Sequence, residues 1–170
     1  MSILNIEIKA HCRQPERIRK ILKEHDAEFK GIDYQIDTYF EVPDGRLKLR
    51  QGTIEQNLIY YRRPDSESPK ASDINLVPVE HPDQLHELLT NALPTKVVVD
   101  KKREIYFIAN VKFHIDKVDE LGHFVEIEAI DEDGSIGEEK LRKQCRYYLD
   151  LLDILDEDLV GHSYSDMISR

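Results

Sequence analysis

Around Asn5-Ile6-Glu7-Ile8-Lys9 the chain alternates strictly, with Leu4, Ile6 and Ile8 apolar and Asn5, Glu7 and Lys9 polar. A strand with this pattern buries one face and carries an acid and a base side by side on the other. One such pair alone reads as solvated surface charge. The pattern recurs, however, on six further strand-like segments: Asp37 with Tyr39, Arg46 with Lys48 and Arg50, Tyr61 with Arg63, Lys101 with Arg103, His114 with Asp116, and Glu126 with Glu128. Some of these polar faces are wholly cationic and others wholly anionic. Independent surface charge need not segregate by sign, so the sorting points to a site.

At 170 residues the chain fits one domain, residues 1–170, long enough to bury about two-thirds of its unfolded surface. A net charge of −10 argues against a nucleic-acid or anionic-membrane binder, and any anionic ligand must meet a local cationic cluster. Cys12 and Cys145 are isolated, with no Cys-x-x-Cys pairing, which speaks against a disulfide framework or zinc ribbon and for a reducing cytoplasm. No stretch approaches the roughly 20 apolar residues that span a bilayer, and no apolar run follows Met1. A soluble, unprocessed protein is expected.

Periodicity predicts a strand over 3–12, then a helix opened by Pro15 with Ile18, Ile21 and Leu22 as its stripe. A long strand over 29–42 turns at Val42-Pro43-Asp44-Gly45-Arg46 into Leu47-Lys48-Leu49-Arg50. Strands at 56–63 and 73–79 flank a polar segment, 65–70, read as a mobile loop. A helix over 82–93 is ended by Pro94. The second half repeats the scheme, with strands at 96–109, 111–118 and 123–131 and a helix over 137–152. This order suggests a pseudo-duplicated α+β domain.

Eight or so hairpin-connected strands close into an antiparallel barrel with helices packed outside, and the charged faces line its interior. So many charges are tolerable there only if water, metal and a charged ligand share the space. Lys9, Lys48, Arg50, Arg63, Lys101 and Arg103 form a cationic tract suited to polyphosphate. Glu7, Glu126 and Glu128 offer hard oxygens without His or Cys, which favours Mg²⁺ or Mn²⁺ over Zn²⁺. His11, His25, His81, His86 and His123 show no metal spacing and read as surface residues, while His114 is open. With seven Gly and no Gly-rich loop, phosphate must be held by side chains.

Asn5-Ile6-Glu7-Ile8-Lys9-Ala10 resembles the Glu-x-Glu-x-Lys signature of the CYTH superfamily, which unites class IV adenylyl cyclases and thiamine triphosphatases in a triphosphate-tunnel fold. The resemblance continues in order through residues 35–40, 45–50 and 58–64, Lys101-Lys102-Arg103, Asp116, residues 121–128 and Ser163-Tyr164-Ser165-Asp166, most like the class IV cyclase branch. It implies an enzyme that binds a small-molecule triphosphate (ATP, thiamine triphosphate or tripolyphosphate). Substrate binding falls to Asp37, Tyr39, Lys48, Arg50, Tyr61, Arg63, Lys101 and Arg103, and metal binding to Glu7, Glu126 and Glu128. Lys9 would stabilise the transferring or leaving phosphate, and Asp116 would orient the nucleophile or support a metal. The implied reaction is ATP to cyclic AMP and pyrophosphate, with triphosphate hydrolysis or binding without turnover as alternatives. A homodimer is compatible with it. Asn5 departs from the signature, since it offers a neutral oxygen where a carboxylate is expected.

Overall fold

The computed structural model describes residues 3–63 and 67–169. Strand β1 (Ile3–His11) leads to α1 (Pro15–Glu24), which Pro15 opens and whose Ile18 and Leu22 are buried. β2 (Glu28–Phe40), β3 (Arg46–Gln51), β4 (Gln56–Arg62) and β5 (Lys70–Pro78) follow, then α2 (Pro82–Ala92). β6 (Thr95–Ile108), β7 (Val111–Val118) and β8 (Gly122–Asp131) precede α3 (Glu138–Leu151). A 3₁₀ turn at Asp156–Asp158, the short β9 (Leu159–Val160) and α4 (Tyr164–Ser169) end the described chain.

Every pairing is antiparallel, in the order β5-β4-β3-β2-β6-β7-β8-β1, and β5 also pairs with β1. Eight strands thus close into the expected barrel. The outer edge of β1 is shared, residues 3–7 pairing with β5 and residues 9–10 with β9. At the β2–β3 hairpin Gly45 has φ +71°, and a Cβ there would meet Tyr60 Oη at 2.6 Å, so the tight return requires glycine.

The core lies outside the barrel. Ile6, Ile8, Val111, Phe113, Ile115, Val125 and Ile127 point outward from β1, β7 and β8 and pack on Ile18, Leu22, Leu141, Cys145 and Leu152 from the α1 and α3 regions. Burying this outer face leaves the alternate residues, which are mostly charged, inside. Cys12 and Cys145 are both free and buried.

The expected elements stand within a few residues of their predicted bounds, with two differences. Pro64, Asp65 and Ser66, where the polar loop was expected to begin, lie outside the described residues; its far end, Lys70, is already β5 and is buried, its Nζ donating to Gly161 O at 2.8 Å. The elements after Leu152 are too short for periodicity to reveal. They nevertheless close one end of the barrel, where Lys9 Nζ donates to His162 O at 3.2 Å and Tyr164 Oη to Asp116 at 2.8 Å. Among the described residues no helix is long and apolar enough to cross a membrane.

Candidate active site

Strand register converts the sorting of charge by strand into cross-strand pairs. Asp37 on β2 is the Cα partner of Arg50 on β3, and Arg103 on β6 that of Asp116 on β7. Lys9 on β1 faces Glu126 on β8. Arg50 donates to both Asp37 oxygens, at 2.9 and 2.8 Å, and Lys101 Nζ reaches the same carboxylate at 2.6 Å. Burial works to raise the Asp37 carboxyl, but Arg50, Lys101 and Lys48 outweigh it and hold it well below the usual range. Arg103 forks onto Asp116 with both bonds at 2.8 Å and also donates to Glu126 at 2.8 Å. Asp37 and Asp116 are thus buried supports for cations that line the cavity.

Two lysines are held differently. Lys9 Nζ lies 3.9 Å from the Tyr164 ring centroid, and Lys48 Nζ lies over the rings of Tyr39 and Tyr61, at 5.5 and 5.3 Å. Carbonyl and aromatic partners orient these ammonium groups, and Lys48 Nζ also stands 3.7 Å from the Asp37 carboxylate. Burial pushes Lys9 down to about 8 against the pull of Glu126 and Asp116, and it pushes Lys101 down to about 7 against that of Asp37. Tyr39 is raised to about 12 by burial and then by Asp37.

Glu7 and Glu128 are direct Cα partners on β1 and β8, and Glu126 lies two residues along the same face, so the three predicted metal carboxylates are brought together. Glu7 accepts from Arg63, and Glu128 from the Asn5 amide. Asn5 Oδ1, buried, has no hydrogen-bond partner. Ligand atoms of His114, Asp116 and Glu126 also lie within 4.8 Å of one another, close enough to share an ion. The Arg103 guanidinium already bonds both carboxylates of that second group and supplies its positive charge, as Arg63 does for Glu7.

All the predicted site residues except Asp37 and Asp116 line one cavity of about 770 Å³, opening included. The same wall holds Glu55, Asn57, Lys112, His114 and Tyr164, which the sequence reading did not assign. Lys112 and His114 were accessible to it, because they alternate with the core residues Val111, Phe113 and Ile115. Glu55 was not, since it lies in the β3–β4 turn, beside Arg50 of the same hairpin, and reaches Lys112 only across the barrel. His11, His25, His81 and His123 are exposed, as expected, and His86 is half-buried.

The barrel is closed, and its inner wall carries basic side chains backed by buried acids, with three carboxylates along one side. The chain belongs to the CYTH family, whose domain model matches residues 4–159. Among solved structures it is similar to the PH1012 protein of Pyrococcus horikoshii OT3, at 27% identity and TM-score 0.81 over 95% of this chain and 98% of that one. A protein of Vibrio parahaemolyticus provisionally named an adenylate cyclase shares the fold at 17% identity and TM-score 0.81, covering 98% of each chain. So does HpAC1 of Hippeastrum, a provisional adenylyl cyclase with a dominant triphosphatase activity, at 12% identity and TM-score 0.63 over 99% of this chain and 94% of that one. No curated protein matches the sequence.

Proposed function

We propose that the protein is a divalent-metal-dependent enzyme that binds a triphosphate in the barrel and cleaves its phosphate chain. The observation that carries this reading is the convergence of Lys9, Lys48, Arg50, Arg63, Lys101 and Arg103 on one cavity beside Glu7, Glu126 and Glu128. The arginines, fixed by carboxylates, provide forks that match phosphate oxygens, and the lysines provide point charge. The carboxylates and the unpartnered Asn5 Oδ1 fit Mg²⁺ or Mn²⁺, which need hard oxygen ligands. When bound, such an ion would neutralise charge on the phosphate chain and polarise the phosphorus under attack. Lys9, deep beside the closed end, would stabilise the departing phosphate; Asp116 would act through Arg103 and Tyr164, which it holds in place.

The first reading is a class IV adenylyl cyclase-like reaction, in which the ATP 3′-hydroxyl attacks the α-phosphorus and pyrophosphate leaves. Its support is the ordered motif resemblance. Hydrolysis at the terminal phosphorus is the second, supported by the triphosphatase activity of the structurally similar HpAC1, while the neutral Asn5 favours binding without turnover. A panel of ATP, thiamine triphosphate and tripolyphosphate with Mg²⁺ or Mn²⁺, scoring phosphate, pyrophosphate and cyclic nucleotide separately, tests both. Metal-dependent product is expected. Binding without product would leave a sensor, and neither binding nor product would end the tunnel reading.

Lys101 gives binding a pH dependence. Its folded value, about 7, lies below its ordinary one, so between the two the unbound tunnel holds it largely neutral. A bound polyanion favours the charged form and raises that value, hence binding takes up protons and weakens as pH climbs above about 7. Calorimetry of tripolyphosphate binding at pH 8 in buffers of different ionisation enthalpy should show uptake, reduced in Lys101→Met by up to about one proton. Equal uptake in the two proteins would remove Lys101 from the site.

A further inference from the structure

Register places Tyr39, Lys48 and Val118 toward the end of the tunnel closed by Tyr164, and Gln51, Gln56 and Lys112 toward the open one. At the open end the β3–β4 turn carries Glu55, whose side chain lines the cavity. That turn has a fixed base. The buried Asp33 carboxylate accepts from the backbone amides of Thr53, Ile54 and Glu55 at 2.7, 2.9 and 2.9 Å. Gly52 lies so close that a Cβ there would meet Asp33 Oδ1 at 2.6 Å. From this base Glu55 reaches across the mouth to Lys112 on β7, and it accepts from Arg50 Nη1 at 3.4 Å and from the Gln35 amide at 3.2 Å. Since Arg50 Nε and Nη2 donate to Asp37, each of its nitrogens is bonded to a carboxylate. Burial works to raise the Glu55 carboxyl, but Lys112, Arg50 and His114 outweigh it and hold it below its ordinary range.

We propose that Glu55 is a specificity-determining residue, a fixed carboxylate that ends the anion-binding tract at the mouth and so limits the length of phosphate chain the tunnel accepts. The inference rests on the triphosphate-tunnel reading and deepens it. Gln35, which bonds Glu55, and Tyr39, which pairs with Lys48, are four residues apart on β2, so Glu55 stands roughly 13 Å of strand outward from the Lys48 level. A triphosphate seated on Lys9, Lys48 and the arginines ends short of it. A longer chain must bring its next phosphate against the Glu55 carboxylate, and two anions repel strongly in a partly desolvated wall. The groups that could receive that phosphate, Lys112 and Arg50 Nη1, are already bonded to Glu55. The limit acts on charge and leaves an uncharged ester free to pass. A mere brace between the turn and β7 would use the same bonds but would carry no dependence on chain length.

The test compares tripolyphosphate with tetrapolyphosphate by calorimetry at fixed free Mg²⁺, on wild type, Glu55→Gln, Glu55→Ser and Lys112→Met. Wild type should bind the longer chain no more tightly than the shorter. Glu55→Gln removes the charge with little change of shape and should raise the ratio of tetrapolyphosphate to tripolyphosphate affinity about tenfold, the worth of one charge-assisted contact. Glu55→Ser keeps the backbone bond to Asp33 and should raise it as well, which secures the result should either variant fold poorly. Lys112→Met breaks the same link across the mouth but leaves the carboxylate, so the ratio should stay at or below that of wild type. An unchanged ratio in both Glu55 variants, an equal rise in Lys112→Met, or a wild type that already favours tetrapolyphosphate about tenfold would overturn the limit while leaving the tunnel standing. Binding of neither ligand to wild type or to Glu55→Gln would instead overturn the tunnel reading, and the limit with it.

Discussion

Arg103→Ala is expected to abolish the rise in melting temperature that tripolyphosphate gives with Mg²⁺, and to lower the unfolding free energy by about 3–5 kcal/mol. The size of the effect follows from what the guanidinium holds. Arg103 is 4% exposed and bonds Asp116 twice and Glu126 once. Its removal leaves two buried carboxylates without their main counter-charge, in a wall where desolvation already opposes ionisation. Burial works to raise Glu126; His114, Arg103 and Lys9 together hold it well below its ordinary range, so losing Arg103 lets it climb. Part of the lost stability should therefore return as pH falls and the orphaned acids take up protons. Arg103→Lys keeps the charge and loses the fork, and should fall between. Denaturant unfolding and thermal shift measure both effects; a variant with wild-type stability and an undiminished ligand shift would show that Arg103 is neither the network's centre nor a phosphate contact.

The barrel was legible because alternation is a strong signal, and here it is reinforced on both faces. Outward residues such as Ile6, Phe113 and Ile127 belong to a core under α1 and α3, while inward residues such as Lys9, His114 and Glu126 line the cavity. What alternation cannot supply is register. That Asp37 would meet Arg50, and Asp116 would meet Arg103, depends on hairpin geometry that one strand does not encode. Asp37, expected among the substrate contacts, and Asp116, expected beside the chemistry, each bond cations that line the cavity, Arg50 and Lys101 in the first case and Arg103 in the second. Glu55 was hidden for a related reason: a turn residue has no periodicity, and its link to Lys112 closes only when β3 and β7 come together around the barrel. Tyr164 was visible as part of a motif but not as an element, because a six-residue helix lacks two full turns of pattern.

Glu7→Gln and Glu128→Gln should each weaken Mn²⁺ binding by about tenfold or more and lower metal-dependent turnover by roughly 100-fold, with folding preserved. Both substitutions remove charge with little change of shape. In Glu128→Gln the side-chain oxygen can still accept from the Asn5 amide, so the local geometry has no reason to collapse. In Glu7→Gln the bond from Arg63 survives in neutral form. What is lost is the attraction of two facing carboxylates for a divalent cation in a partly desolvated wall, where such attraction is stronger than in water. Glu55→Gln serves as the comparison, since Glu55 sits with Arg50 and Lys112 and should leave Mn²⁺ affinity within about twofold. Titrating each variant with Mn²⁺ by electron paramagnetic resonance, without substrate, separates cation binding from catalysis. Unchanged Mn²⁺ affinity in both Glu7→Gln and Glu128→Gln would move the cation to the His114, Asp116 and Glu126 group, where Arg103 would have to yield to admit it.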